Sequence, residues 1–427
     1  MAKKTTKKTA TTSKKPSSKK TSKKEVAAVE ETVTPSKKKE DPPAEDKGTN
    51  RLLSVLGNLK GIRVEKASEV RNSFDVRLPT GILGLDIACG GGIPRGGLTE
   101  FWGAESAGKS SLCGCLIRQN QRIMGEESRI AVFGIEHELD KGLVRKLGAK
   151  ISMSEEEIEK DERVYGITYS EEERFFMRNQ QIGEIDMISA ATAEDALEAI
   201  YRIISIDHYQ LVILDSIAQL LPQDEADAVM ADGGMLGAAL PRLIARFNRK
   251  LVDAYYQRPN KRPNLTSLVV TNQVTAAIGA RTRPGMPPPE KQKAGYSLRH
   301  AKFLSLKLRS SKSSSMDISE GHEVNWSVDK GKAGTHNGLA GTFDYRKKSG
   351  VFGPDYEKES LSEGIRAGVI GKHPGAYYDC PYFGIDRVKG VEALTHALRE
   401  ADPEWFFSIY YEVMKAHGIH TTTRWEE

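Results

Sequence analysis

The sequence predicts an α/β domain on a mostly parallel sheet, and three observations carry that expectation. Between residues 80 and 351, short apolar runs alternate with longer helix-compatible stretches, the pattern of strands joined by covering helices. One apolar run, residues 98–102, leads into Gly103-Ala104-Glu105-Ser106-Ala107-Gly108-Lys109-Ser110, and a helix-compatible run from Ser110 to Ile123 follows. Another, residues 211–214, ends in Asp215, at the strand end where open α/β sheets bind ligands.

The octapeptide fits G-x-x-x-x-G-K-[ST], and its strand-then-helix context gives the match its meaning. Gly103 and Gly108 permit backbone angles that turn successive amides toward an anion. The helix that follows adds its free N-terminal N–H groups and partial positive charge. Lys109 reaches the β- and γ-phosphates in such loops, and the Ser110 hydroxyl ligates Mg²⁺, with Asp215 holding the ion through water. The segment from Gly103 to Ser111 is therefore expected to bind a nucleoside triphosphate with Mg²⁺.

The chain has 427 residues, 38% hydrophobic and 28% charged, a soluble composition with room for about two or three domains. No apolar run approaches the roughly 18 residues of a membrane helix, and the N-terminus lacks a secretory h-region. Cys89, Cys113, Cys115 and Cys380 show neither C-x-x-C pairs nor zinc spacing, which suits buried thiols in a reducing cytoplasm.

The net charge of +5 conceals an asymmetry, because residues 1–24 hold ten lysines and no acid. Residues 1–48 are expected to be a disordered Lys-rich tail, since they carry too little apolar surface to offset ordering entropy. Residues 49–78 follow as a helix and linker, with Leu52, Leu53, Leu56 and Leu59 on one face. The ATPase core is expected over 79–353, with its clearest strands at 129–135, 211–214, 267–271 and 303–308. An acidic stretch over 151–183 interrupts the rhythm and reads as a partly helical surface insertion with a solvated charged face. A smaller C-terminal domain occupies 354–427, its apolar stripe formed by Trp405, Phe406, Ile409, Tyr410 and Met414.

Hydrolysis requires a group that orients or deprotonates water. Glu136 follows the strand expected to neighbour the P-loop strand, which would aim it at the γ-phosphate; a helix cap is the plainer alternative. Asn272 and Gln273 end the strand that begins near 267, where an amide could sense the γ-phosphate. The stretch 274–298, rich in Gly and Pro, carries Arg281, Arg283, Lys291 and Lys293. Loops of such length are usually functional. A second, 223–237, leads into a helix bearing Arg242, Arg246 and Arg249. Together they suit a polyanion such as DNA.

These motifs, taken in order, resemble bacterial RecA. The resemblance rests on residues 78–86 (LPTGILGLD), 90–96 (GGGIPRG), the P-loop, Glu136-His-Glu-Leu-Asp140, Arg145-Lys-Leu-Gly148, Leu214-Asp-Ser216 and Thr271-Asn-Gln273, and extends more weakly from about 50 to about 415. It implies a RecA-like P-loop ATPase core with a short N-terminal oligomerisation helix and a small C-terminal α/β domain. It also implies ATP-dependent strand exchange by a helical filament on single-stranded DNA that pairs with double-stranded DNA. In such proteins the residue matching Glu136 activates water, and that matching Gln273 relays the γ-phosphate state to DNA loop 2, here 274–298. Loop 1 would be 223–237, and Ile278 the apolar wedge between base triplets. Asp140 would lie at the nucleotide, Lys330 and Lys332 would reach a neighbour's phosphates, and the 52–59 helix would dock on the adjacent protomer. Single-strand-binding and mediator proteins are the implied partners, in a bacterial or phage-infected cytoplasm, without a membrane.

Leu143 stands where the family often stacks a tyrosine on adenine, and Thr275 where it places a base. The insertion and the tail have no counterpart in the resemblance. Such departures suggest a divergent member similar to UvsX-like phage recombinases. A hexameric RecA-fold helicase, or a RecA-like regulator that performs no exchange, are the competing readings.

The tail generates a direct test. Each phosphate neutralised on single-stranded nucleic acid steepens the dependence of log K on log salt by about 0.7. Deleting residues 1–48 is expected to flatten that slope by about two or more units and to leave ATPase activity at saturating DNA unchanged. Equal slopes in salt titrations on one oligonucleotide would reduce the tail to a solubilising segment.

Overall fold

Strands that are apolar on both faces lie parallel at the centre of the protein, as expected where helices cover both sides of a sheet. In this computed structural model the described residues are Val55, 76–136, 139–166, 168–178, 183–228, 239–256, 264–276, 290–293, 295–311, 320–332, 334–348 and 351–419. The Lys-rich tail and, apart from Val55, the 52–59 helix fall outside them. All described residues from 76 onward belong to one compact unit.

A short antiparallel pair, β1 (Arg77–Leu78) and β2 (Ile93–Pro94), brackets helix α1 (Leu83–Ala88). The chain then forms β3 (Leu98–Gly103), α2 (Lys109–Met124), β4 (Arg129–Gly134) and α3 (Lys141–Lys146). Helices α4 (Glu155–Tyr165) and α5 (Glu171–Arg178) precede β5 (Glu184–Ile188), α6 (Ala193–Ile206) and β6 (Leu211–Asp215). Next come α7 (Gln223–Ala226), α8 (Ala239–Tyr256), β7 (Ser267–Ala276), β8 (Glu290–Gln292) and α9 (Gly295–Ala301). Four strands then follow: β9 (Leu304–Ser311), β10 (Gly321–Gly331), β11 (Ala340–Lys348) and β12 (Val351–Pro354).

The main sheet has the order β12-β11-β10-β9-β3-β7-β6-β4-β5, with β8 paired to β7. From β9 to β5 every neighbouring pair is parallel, and β10 to β12 extend the sheet antiparallel. Side chains alternate between two cores, as strand geometry requires. Phe101, Val132, Ile213 and Val269 pack toward α1 and α2. Ala131, Phe133, Leu214 and Val270 pack toward α6 and α8.

One expectation is corrected by this order. The strand before Glu136 does not neighbour the P-loop strand: β3 lies between β7 and β9, whereas β4 lies between β6 and β5. Sequence order does not fix spatial order in a doubly covered parallel sheet, because crossovers may skip strands. The stretch 274–298 also carries more regular structure than expected. Residues through Ala276 continue β7, β8 returns antiparallel with Val274 opposite Gln292, and α9 begins at Gly295.

The acidic insertion folds as two helices around a small core of Met153, Ile158 and Met177, with Tyr169 against it. Ser154 starts α4 with a capping box, accepting from the Glu157 amide while the Glu157 carboxylate accepts from the Ser154 amide. Its charges are more organised than a solvated face. Arg174 bridges Glu155 and Glu162 across the two helices. Arg145 of α3 pairs with Asp161, both side chains less than a tenth exposed. Among the described residues no helix is long and apolar enough to cross a membrane, and the four cysteines are free and buried.

The C-terminal part contains α10 (Tyr356–Arg366), the antiparallel strands β13 (Gly371–His373), β14 (Tyr377–Cys380) and β15 (Ile385–Lys389), α11 (Val391–Ala401) and α12 (Trp405–Ala416). Its core joins Trp405, Ile409, Tyr410 and Met414 to Leu83 of α1. Phe406, placed on the stripe by its spacing, is only partly buried; Val413 and Phe407 are buried as well.

Two carboxyls are caught near α1. Asp86 accepts from the Thr80 amide and hydroxyl, the Gly81 amide and the Tyr410 hydroxyl, yet burial pushes it up to about 6. Glu359 accepts from the Gly84 amide at 3.0 Å. Burial, opposed by that amide and reinforced by the charge of Glu363, pushes it up to about 7. Both values lie above those of the unfolded chain, so between about pH 4 and 7 the folded state holds the extra protons, and stability falls as pH rises through this window. Glu359→Gln keeps an acceptor for the Gly84 amide and removes the titration. Urea unfolding is expected to show it near wild type at about pH 5 and more stable by about 1 kcal/mol or more at about pH 8. A pH-independent difference would contradict the assignment.

Candidate nucleoside-triphosphate site

The site lies where β3, β7, β6 and β4 end on one side of the sheet. Gly103 closes β3 so near β9 that a Cβ on it would lie 2.2 Å from the Leu308 carbonyl oxygen. The chain then turns through Ser106 at φ 56° and Gly108 at φ 90°, left-handed conformations that favour glycine at the second position. Gly108 caps α2 without any side-chain bond, which leaves the first amides of that helix to an incoming anion. Ala104, Glu105 and Ser106 are exposed, while Ala107, Lys109 and Ser110 are buried. The Lys109 ammonium donates to the Ala104 carbonyl at 2.7 Å and to that of Gly103 at 3.3 Å. It thus folds over the loop whose amides would cradle phosphates.

Asp215 ends β6, is 2% exposed and accepts from the Thr271 hydroxyl of β7. Its own carbonyl accepts from the amides of Ile135 and Glu136 at 2.7 and 3.2 Å. That pair of bonds delivers Glu136 to the site across β6, although β4 is three strands from β3. The Glu136 carboxylate accepts from Gln273 Nε2 at 2.9 Å and from the Ser216 hydroxyl. β7 runs past Thr271, so Thr271 and Gln273 share a face, the first serving Asp215 and the second Glu136.

Several groups around this constellation escape sequence reasoning. Lys293, expected among the DNA-contacting cations, instead donates to Gln273 Oε1 at 3.1 Å. Asn272 Nδ2 donates to the Lys293 carbonyl at 3.0 Å and to Glu100 Oε1 at 2.9 Å. Glu100 forms an ion pair with Lys302, and both side chains are wholly buried. Ser305 Oγ donates to Glu100 Oε2 at 2.9 Å, and Lys302 donates to Gln292 Oε1 at 3.1 Å. The signal available beforehand was the place of Glu100 inside the apolar run 98–102, since a carboxylate buried in such a strand demands a partner.

Asp140 is exposed and caps α3, accepting from the Leu143 amide at 2.7 Å. Leu143 packs against the core beside α2. Arg242, Arg246 and Arg249 are all exposed, at the i, i+4, i+7 spacing of one face of α8. Ile278, Arg281, Arg283 and the Lys291 side chain lie outside the described residues, as do 229–238 of the expected loop 1.

Lys330 and Lys332 sit far from the P-loop of their own chain. Lys330 pairs in register with Ser305, and Gly331 with Leu304, which itself pairs with Thr99 at the start of β3. Four residues of β3 separate that level from Gly103, about 13 Å along the strand. The Lys330 ammonium donates to the Arg299 carbonyl at 2.5 Å, and that of Lys332 lies 4.4 Å from the centre of the Phe303 ring. Burial first, then the neighbouring cations Lys332, Lys302 and Arg299, holds Lys330 below the ordinary lysine range.

A Gly-Lys-Ser loop between β3 and α2, faced by an aspartate and a glutamate from neighbouring strand ends, defines a P-loop nucleotide-binding protein of the α/β class. Residues 60–157 match the RecA N-terminal domain. Over 355 residues the chain is 28% identical to Protein RecA of Bordetella petrii, covering 82% of this chain and 84% of that one. It is likewise 28% identical to Protein RecA of Paracoccus denitrificans (80% and 81% covered) and of Aquifex aeolicus (80% and 84%). Over about four-fifths of its length the chain is similar to these RecA proteins.

Gly103→Ala tests the close approach of β3 and β9. The added methyl meets backbone rather than a movable side chain. We expect destabilisation of at least about 1–3 kcal/mol in urea and loss of binding to a fluorescent ATP analogue. A variant as stable and as competent as wild type would remove that constraint.

Proposed function

We propose that this chain is an ATP-dependent recombinase that assembles as a helical filament on single-stranded DNA and promotes pairing and strand exchange with a duplex. Lys109 and the loop amides hold the β- and γ-phosphates. Glu136 accepts the proton of the attacking water, and Gln273 carries the state of the γ-phosphate into β7 and β8. Mg²⁺ would be held by Ser110 and Asp215, an oxygen-only pair suited to a hard cation, and would supply charge neutralisation on the phosphates. The exposed arginines of α8 and the cations Arg281, Arg283 and Lys291 supply a DNA surface, and Asp140 borders the nucleoside. Single-strand-binding and mediator proteins in the cytoplasm are the expected partners.

The observation that carries this reading is the place of Lys330 and Lys332. Their register sets them at the opposite end of the strands from Gly103, away from the phosphate loop of their own chain. That distance supports a role at a neighbour's site, as an arginine finger acts in trans.

Mixed subunits test this. Glu136→Gln is expected to bind ATP and slow hydrolysis about 10²-fold or more. The double variant Lys330→Ala/Lys332→Ala should bind ATP as a protomer and lack DNA-stimulated turnover. Mixtures of the two should regain part of it, since some interfaces join an intact Glu136 to intact lysines. Failure of every mixture to recover would place the lysines in cis or outside catalysis. Closed rings instead of filaments on single-stranded DNA would favour a helicase.

A further inference from the structure

We infer that Lys293 is a positioning residue that fixes the orientation of the Gln273 side-chain amide, and that the buried Glu100–Lys302 pair anchors it. This rests on the ATPase reading above and assigns Lys293 a role other than phosphate contact.

An amide side chain can be turned end for end with little change in shape, so its direction must be set by its neighbours. Lys293 has three donors and no acceptor. Its ammonium, 3.1 Å from Gln273 Oε1, can therefore donate only to the carbonyl end of the amide. The NH₂ end is thereby committed to the Glu136 carboxylate, at 2.9 Å. Without the ammonium, the Gln273 carbonyl would lose this donor and the amide would be held at its NH₂ end by Glu136 alone. The lysine is fastened at its main chain as well. Its amide donates to the Gln273 carbonyl at 3.0 Å, and its carbonyl accepts from Asn272.

Asn272 is itself directed by charge. It is wholly buried and its Oδ1 has no hydrogen-bond partner, which costs free energy in a dry interior. The reverse orientation would set that oxygen against Glu100, a worse arrangement. Glu100 in turn is matched by Lys302, whose ammonium also reaches Gln292 one residue before Lys293. The donors and acceptors form a single directed chain: Lys302 to Glu100, Asn272 to both Glu100 and the Lys293 carbonyl, Lys293 to Gln273, Gln273 to Glu136. A buried pair of this kind is weak evidence for stability, and specifying one arrangement is its better-attested use.

The test compares Lys293→Met and Lys293→Arg with wild type in full-length protein. Lys293→Met is expected to lower DNA-stimulated kcat about tenfold while the KM for ATP changes less than about twofold. Lys293→Arg keeps donors for the Gln273 carbonyl and should recover most of the rate. The salt dependence of single-stranded DNA binding should be the same in all three. A slope flattened by about 0.7 in Lys293→Met would make it a phosphate contact and overturn the inference. Unchanged kcat in Lys293→Met would overturn it too, as would equal loss in both variants with matched thermal unfolding. If wild type shows no DNA-stimulated hydrolysis, the ATPase reading itself fails and the inference falls with it.

Discussion

Strand β3 has no free edge and no free face, and the rest of the site depends on that confinement. It is parallel to β7 on one side and β9 on the other, with Gly103 level with Gln273 and Leu308. The P-loop therefore starts at a fixed height, and the strand ends that supply Gln273, Asp215 and, through β4, Glu136 converge on it. The same confinement rules out a hydrated charge at Glu100. Leaving one partner of a buried pair unmatched costs about 3–5 kcal/mol, comparable with much of a domain's stability. Glu100 is tolerable only because Lys302, Ser305 and Asn272 surround it.

What the sequence made legible was whatever is written contiguously. The P-loop, Asp215 at the end of its apolar run and Glu136 after another are local patterns, and the strands around them formed close to their expected limits. The spatial order of strands was not legible, because nothing in β4 states that β6 and β7 come between it and β3. Thr271 and Ser216 stood in the motifs without a role for the same reason: their partners Asp215 and Glu136 are brought to them by the fold.

Charge alone misled twice. Lys293 lies in a stretch of glycines and cations that looks solvent-facing, yet the pairing of β8 with β7 sets its ammonium on Gln273. The acids of the insertion looked like a hydrated face, but their partners Arg174 and Arg145 come from another helix or from before the insertion. For Lys330 and Lys332 the composition said only that two cations lie close together. The antiparallel return of β10 decides which end of the sheet they occupy.

The contact between Asp86 and Tyr410 joins residues 324 apart in the chain. Leu83 belongs to the same core as Trp405 and Ile409. The C-terminal part is thus not a cassette that evolution could exchange among relatives by a crossover near Pro354. A foreign replacement would inherit a half-made core on α1 and an acid whose hydroxyl donor it had never been selected to supply. Divergence in the C-terminal part, from 354 onward, must be matched by change in the helix just ahead of the P-loop, so the two segments should drift together.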